Sequence, residues 1–328
     1  MAMGSCIWLN ETDIFSGYKY TNPIFANQQD DFLFYLCMST PTTTGDQILT
    51  SSLHSRRFIY DARYQADGRK KPVIVFVHGF KGFKDWGTFT LIADEFARQG
   101  YVFAKLNLSH NGTTPEHPLD FVDLEAFGHN NFILELDDLS ILINELEEGK
   151  SPIPAAEMDP NRLALIGHSR GGGLVLLKGA EDPRVKAVVT WAAIHNLEQR
   201  WPKSFLDEWK EKGVVHIPNA RTGQQMPLYY QLVENFRENK ERLDIPAAVA
   251  RMQQPLLVIH GTGDETLPSS MAHEIASWKK GSELLILPDA NHTFGGAHPW
   301  PGDQLPADTT EVIKATAAFL QRHLNPRS

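Results

Sequence analysis

The sequence predicts an α/β fold: a mostly parallel, doubly wound sheet with helices on both faces and one cap insertion. From Arg57 onward, short apolar runs alternate with stretches whose apolar residues recur every three or four positions. This alternation is typical of successive strand and helix units. It is interrupted once, by about 60 residues between Ala193 and Pro255, which is longer than an ordinary crossover connection. We therefore expect one sheet domain that carries an inserted segment.

Seven runs are short and apolar, as strands of a sheet covered on both faces must be. They are residues 57–62, 73–77, 101–106, 162–167, 185–191, 255–260 and 283–287. Helical spacing predicts helices between them at 86–98, 131–147, 171–179, 269–279 and 309–323. In the second helix we expect Glu135, Asp137 and Asp138 to form the solvent-exposed face.

These patterns divide the chain into three parts. Residues 1–53 have weak periodicity and are predicted to be an N-terminal extension with one short element at 32–38. Residues 54–195 and 254–328 form the predicted core, and 196–253 the predicted cap, with a hairpin leading into a helix at 228–239. The aromatic residues of the cap either cover an apolar pocket or pack on the core. Trp201, Trp209 and Tyr229 are the candidate pocket residues among them.

Composition excludes several classes of partner. Lys and Arg number 31 against 40 Asp and Glu, which gives a net charge of −9, and the basic residues are scattered, so nucleic acid is not an expected partner. The longest apolar runs are strand-sized, shorter than the roughly 20 residues of a membrane helix. The N-terminus has no signal-peptide pattern, which predicts a cytoplasmic protein. Cys6 and Cys37 are accordingly expected to be free thiols.

Residues 163–172 read LALIGHSRGG, an apolar strand that runs through Gly-x-Ser-x-Gly into a helix. This is the pattern of a nucleophile elbow, in which a sharp turn exposes the serine and the flanking positions must be glycine. The motif makes Ser169 the candidate nucleophile. A serine in a glycine turn is common, however, so the motif needs a base, an acid and oxyanion donors in the expected chain order.

The chain supplies an acid and a base after the serine. Asp264 follows the strand at 255–260 in a glycine-containing loop, with Glu265 as its nearest competitor. His292 follows the last predicted strand in a loop that contains two glycines, with His298 as the alternative. The order Ser, Asp, His agrees with that of a hydrolase triad on a parallel sheet.

Backbone N–H groups are the expected donors to an oxyanion. Arg170 follows the nucleophile and Phe80 lies in the loop after the strand at 73–77, so we predict that these two residues form the oxyanion hole. His168 and His110 are further candidate pocket residues, although the Ser-His-Asn-Gly stretch around His110 can equally be a simple turn. No phosphate-binding loop or metal-ligand spacing is present, so neither a cofactor nor a metal is expected.

With these motifs in this order, residues 57–325 resemble the α/β-hydrolases. The segments HGFKGFKDWG, LNLSHNG and ANHTFGGAHPW are similar to small bacterial serine hydrolases related to dienelactone hydrolases and to the catalytic domain of acyl-peptidases. Dienelactone hydrolases carry a cysteine nucleophile where this chain has Ser169. The resemblance implies an acyl-enzyme mechanism with Ser169, His292 and Asp264.

The expected function is hydrolysis of small to medium or aryl carboxylic esters, with a small molecule as the substrate. Peptidase and acyl-CoA thioesterase activities are the alternatives among enzymes. A non-catalytic binding protein with this fold is the alternative from another class, because fold does not determine function. Such proteins usually lose a member of the triad, whereas all three candidates are present here. The sequence does not indicate an oligomeric state.

Overall fold

A computed structural model describes residues 40–197 and 202–324 of the chain. Nine strands in this part of the chain form one central sheet. They are β1 Thr42–Thr43, β2 Gln47–Thr50, β3 Arg57–Tyr64, β4 Lys71–Val77, β5 Val102–Leu106, β6 Met158–His168, β7 Val185–Trp191, β10 Leu256–Gly261 and β11 Glu283–Leu287. Their order in the sheet is β1-β3-β5-β4-β6-β7-β10-β11, and β2 also pairs with β3. Neighbouring strands pair in parallel along the series β5-β4-β6-β7-β10-β11, whereas β3 pairs antiparallel with β5.

Helices lie between most of the parallel strands. Those of the core are α1 Phe89–Arg98, α2 Leu124–Gly128, α3 Phe132–Glu147, α4 Arg170–Glu181, α8 Ser270–Ser277 and α9 Ala307–Leu324. The predicted α/β fold is confirmed, with the seven predicted strands and five predicted helices present and their ends shifted by at most four residues. The strands β1 and β2 and the short helix α2 were not predicted. The predicted element at 32–38 and both cysteines lie outside the described residues.

Alternate residues of each strand face opposite sides of the sheet. In β4, Val73, Val75 and Val77 contribute to one hydrophobic core together with α3 and α4. Ile74 and Phe76 contribute to a second core, which includes apolar residues of α1 and α9. This two-sided burial explains why the strands have continuous apolar sequences rather than alternating ones.

The segment predicted to be a cap contains its own small sheet. It comprises α5 Lys203–Lys212, β8 Val214–Pro218, β9 Gln225–Tyr229, α6 Gln231–Glu238 and α7 Ile245–Arg251, with β8 and β9 forming an antiparallel hairpin. The hairpin contacts the loops that follow β4 and β5. Lys81 Nζ donates to the carbonyl oxygen of Pro218 at 3.3 Å, and Gln224 Nε2 donates to that of Phe121 at 2.8 Å.

None of the helices within residues 40–197 and 202–324 combines the length and the apolar character that a bilayer crossing requires.

A buried network of charges fastens the loop after β4 to the sheet. Lys105, which is fully buried in β5, pairs with Asp61 at 2.7 Å and also with Asp85. Lys84 pairs with Asp85 at 2.5 Å and with Asp46 at 2.7 Å. Burial alone would raise the pKa of Asp85, but the two ammonium groups lower this pKa to about 2. The network therefore stabilises the fold only while Asp85 is ionised.

We expect Asp85→Asn to lower the free energy of unfolding by about 2 kcal/mol at pH 7, because two buried ammonium groups lose a shared carboxylate. In the parent protein this stabilisation is present above the unfolded pKa of 3.8 and is lost as the pH falls through the folded pKa near 2. The difference between variant and parent should therefore be smaller at pH 3 than at pH 7. Urea unfolding at both pH values measures it, with Asp303→Asn at an exposed site as the control. Equal differences at the two pH values would contradict this account.

Candidate active site

The turn between β6 and α4 holds Ser169 in a strained conformation. Its φ of 56° and ψ of −119° lie in a region that side-chain-bearing residues rarely adopt. A Cβ added to Gly167 would lie 2.2 Å from the carbonyl oxygen of Gly171, and one added to Gly171 would lie 2.3 Å from that of Val77. Both flanking positions therefore require glycine. The predicted elbow sequence thus has the backbone geometry of a nucleophile elbow.

The loops after β6, β10 and β11 bring a serine, an aspartate and a histidine together. Ser169 Oγ lies 3.0 Å from His292 Nε2, and His292 Nδ1 lies 2.7 Å from Asp264 Oδ2. All three loops leave the carboxyl ends of their strands, which meet at one edge of a parallel sheet. The arrangement has the hydrogen-bond order of a nucleophile, a base and an orienting acid.

Four donors surround the Asp264 carboxylate, whose side chain has no solvent exposure. Oδ1 accepts from the backbone N–H groups of Thr266 and Leu267, each at 2.8 Å. Oδ2 is shared between His292 and the buried ring of His260, whose Nε2 lies 3.0 Å away. Burial favours the neutral acid, but the hydrogen bonds, led by that of Leu267, hold the pKa of Asp264 below its usual value. The group facing His292 is therefore a carboxylate at neutral pH.

The two competing residues have other surroundings. Glu265 is exposed. His298 Nδ1 accepts a hydrogen bond from the backbone N–H of Gly87 at 2.9 Å, and its ring stacks on Trp86 with centroids 6.1 Å apart. The structure therefore brings Asp264 and His292, and neither competitor, into the hydrogen-bond series with Ser169.

The loop after β4 approaches Ser169 closely. A Cβ added to Gly79 would lie 2.9 Å from Ser169 Cβ, so only glycine allows this approach. Phe80 follows Gly79 in this loop. Arg170 is the first residue of α4, where an N–H group has no carbonyl partner within the helix. The two predicted oxyanion residues therefore directly follow Gly79 and Ser169, respectively.

Two of the candidate pocket histidines are buried. His168 Nε2 donates to the carbonyl oxygen of His292 at 2.8 Å, so its ring supports the backbone of the His292 loop. Burial, with a smaller effect of His292, lowers the pKa of His168 to about 3. His110 Nδ1 lies 2.7 Å from Ser109 Oγ, and burial lowers the pKa of His110 to about 4. Both rings are therefore neutral near pH 7.

The candidate pocket residues of the cap make contacts within or beneath the hairpin. Trp209 is fully buried and its Nε1 donates to the carbonyl oxygen of Leu228 at 2.8 Å. Tyr229 donates its hydroxyl proton to Glu125 at 2.6 Å, and this bond raises the pKa of Tyr229. Trp201 lies outside the described residues. The contacts of Trp209 and Tyr229 favour packing of the cap on itself and on α2.

The expectation of a solvent-exposed acidic face on α3 is wrong. Glu135 and Asp138 are buried, with 2% and 0% exposure, while Asp137 is partly exposed and accepts from Ser52. The buried carboxylates have specific partners: Glu135 pairs with Arg170, and Asp138 accepts from the backbone N–H of Ser109 at 2.7 Å. Burial raises the pKa of Asp138 to about 8.

His260 and Glu135 are the site residues that sequence reasoning missed. His260 stands four residues before Asp264 at the end of an apolar strand, a position where a polar side chain is unusual. Glu135 resembled any other charge on a helix until its partner was known. Only the position of His260 therefore carried a usable sequence signal.

Comparisons with known proteins bear on the family and the fold. A model described as the alpha/beta hydrolase family matches residues 74–302. The chain is 28% identical over 123 residues to the quorum-quenching protein AidA of Acinetobacter baumannii (strain MDR-ZJ06), a match that covers 36% of this chain and only 34% of that protein. It is 23% identical over 226 residues to the protein named "Putative esterase YitV" of Bacillus subtilis (strain 168), which covers 68% and 80% of the two chains.

A solved structure has the same fold. The esterase domain of a Rhodothermus marinus protein superposes with a TM-score of 0.57 over 87% of this chain and all of that chain, at 21% sequence identity. At that identity the likeness concerns the fold. Together with the family match over most of the sequence, it confirms the predicted resemblance: the chain belongs to the alpha/beta hydrolase family.

Proposed function

We propose that the protein is a serine hydrolase that cleaves carboxylic esters through an acyl-enzyme intermediate. The observation that carries this proposal is the hydrogen-bond series from Ser169 through His292 to Asp264, with distances of 3.0 and 2.7 Å. The similarity to proteins named as esterases supports the same class of substrate.

In the proposed mechanism His292 Nε2 accepts the Ser169 hydroxyl proton while Oγ attacks the carbonyl carbon of the ester. The Asp264 carboxylate stabilises the imidazolium that forms. The backbone N–H groups of Phe80 and Arg170 donate to the oxyanion of the tetrahedral intermediate. The imidazolium then returns the proton to the departing alkoxide, which leaves as the alcohol, and the acyl group remains on Ser169.

The second half of the reaction uses the same groups. A water molecule takes the place of the alcohol, His292 accepts one of its protons, and the resulting hydroxide attacks the acyl-enzyme. Collapse of the second tetrahedral intermediate returns the proton to Ser169 Oγ and releases the carboxylic acid. Every proton transfer in the cycle is therefore assigned to His292.

We further propose that the acyl group is small to medium in length or aromatic. The β8–β9 hairpin is bonded to the loops after β4 and β5, and the first of these loops is the one that approaches Ser169. On this proposal, the hairpin fastened across these loops limits the length of the acyl chain that the site accepts.

Hydrolysis of p-nitrophenyl esters from acetate to palmitate tests the substrate class. We expect kcat/KM to be highest for short chains and to fall as the chain lengthens, because the space under the hairpin is confined. A maximum at palmitate would contradict the confined pocket. If acyl-CoA esters or peptides are cleaved faster than every oxygen ester, thioesterase or peptidase activity replaces the proposed one.

Ser169→Ala should lower kcat for the best ester by about 10⁶-fold, because the acyl-enzyme can no longer form. The same assay measures this loss, after subtraction of uncatalysed hydrolysis. Ser277→Ala, at an exposed serine of α8, is the matched control and should keep the parent rate. A Ser169→Ala enzyme that retains parent turnover would exclude Ser169 as the nucleophile.

Asp264→Asn should lower kcat by about 10⁴-fold, because an amide does not stabilise the His292 imidazolium. Glu265→Gln removes the neighbouring carboxylate, which is exposed, and should leave kcat within about twofold. Steady-state kinetics at pH 8 compares the two variants. The reverse order of effects would assign the acid to Glu265 instead.

A further inference from the structure

The buried side chain of Arg170 packs against that of Phe80, and these two residues are the proposed oxyanion donors. The Arg170 guanidinium carbon lies 5.2 Å from the centre of the Phe80 ring and 4.4 Å from that of the Phe132 ring. The guanidinium Nε donates to Glu135 Oε2 at 3.0 Å, and the terminal nitrogen NH2 lies 2.9 Å from Oε1 as an ion-pair contact. The side chains of Arg170 and Glu135 are only 8% and 3% exposed. We name these four residues the Arg170 clamp.

We infer that Glu135 is a positioning residue of the oxyanion hole, which acts through the Arg170 guanidinium on the backbone N–H groups of Arg170 and Phe80. The inference rests on the proposed function, because that proposal assigns the oxyanion to these two N–H groups. It gives a role to a buried carboxylate that the hydrolytic mechanism itself does not use.

The clamp joins three separate elements of the chain. Arg170 begins α4, Phe80 lies in the loop after β4, and Glu135 and Phe132 lie in the first turn of α3. The guanidinium is bonded to Glu135 through Nε and lies over the rings of Phe80 and Phe132, so it links the position of the Phe80 ring to that of α3. The clamp therefore sets the position of the Phe80 loop relative to the helix that begins at the nucleophile.

The loop after β4 has a conformation that needs outside support. Lys81, directly after Phe80, has a φ of 57°, in the left-handed region that favours glycine. A residue other than glycine keeps such a conformation only when contacts with the surrounding structure hold it there. On one side of this position the charges around Lys84 and Asp85 fasten the loop, and on the other side the Phe80 ring packs against the Arg170 guanidinium and the Phe127 ring.

Glu135 is itself held in place. Its Oε1 accepts a hydrogen bond from Asn130 Nδ2 at 2.7 Å. Asn131 caps α3 by accepting from the N–H of Leu134 at 3.1 Å. Gln231 of the hairpin-side helix α6 donates to the carbonyl oxygen of Asn130 at 2.9 Å. These bonds hold the Glu135 carboxylate in place, and the carboxylate in turn positions the Arg170 guanidinium.

Oxyanion donors act almost entirely in the transition state, and loss of one donor costs about 10²- to 10³-fold in kcat. A small displacement of a donor lowers kcat by a smaller factor than its complete loss. We therefore expect Glu135→Gln to lower kcat about 10-fold for the best ester while KM stays within about twofold. Affinity for an alkyl boronic acid, which forms a tetrahedral adduct with the serine, should fall by a similar factor.

Two further variants separate positioning from stability. Glu157→Gln is the matched control, since Glu157 is also buried and pairs with Lys71 at 2.7 Å, but at the amino end of the strands, away from Ser169. It should lower the melting temperature and leave kcat unchanged. The double variant Glu135→Leu with Arg170→Met replaces the pair by apolar side chains, which typically restores stability. The kcat of the double variant should remain low, because the Arg170 guanidinium and the Glu135 carboxylate are absent.

An unchanged kcat in Glu135→Gln, or full recovery of kcat together with the melting temperature in the double variant, would overturn the inference. An equal loss of kcat in Glu157→Gln would do the same. If the parent protein cleaves no ester, the proposed function fails. The positioning role of Glu135 is then tested by the ¹⁵N order parameter of the Phe80 amide. A lower order parameter in Glu135→Gln than in the parent supports the clamp, and equal values overturn it.

Discussion

The strained turn at Ser169 is the constraint on which the remainder of the site depends. A φ of 56° at a serine persists because the surrounding backbone determines it. Gly171, two residues after the serine, lies against the end of β4, where an added Cβ would be 2.3 Å from the carbonyl oxygen of Val77. The ends of β4 and β6 lie side by side because the two strands pair in parallel up to Val77 and Gly167. The loop after β4 therefore reaches Ser169, and the loops after β10 and β11 reach it from the other side with Asp264 and His292.

Charged side chains hold these loops, although the core around them is apolar. Lys105 and its carboxylates fasten the far end of the loop after β4, and Glu135 with Arg170 holds the near end. Four donors surround Asp264, and His168 supports the backbone at His292. Each of these groups is buried and paired, so the loss of one partner leaves a charge or donor without compensation. We therefore expect the geometry of the site to depend strongly on these buried polar residues, so that replacement of one of them disturbs the site.

The fold and the triad geometry were accessible from the sequence because both leave local patterns. Strands covered on both faces appear as apolar runs, and the elbow requires glycines at fixed positions around Ser169. The roles of Glu135, Asp138 and Lys105 were not accessible, because a charge on a helix or strand is indistinguishable from a solvated one until its partner is known. The strands β1 and β2 were missed because they are only two and four residues long and are held by pairing with β3.

We propose that Ser169 is a nucleophile activated by His292. Reaction with a fluorophosphonate, followed by proteolysis and mass spectrometry, tests this claim without knowledge of the natural substrate. We predict a single covalent adduct on the peptide that contains Ser169, formed rapidly in the parent protein and slowly in His292→Ala, because the hydroxyl then has no base. A folded parent protein that remains unlabelled, or an adduct on another serine, would contradict the account.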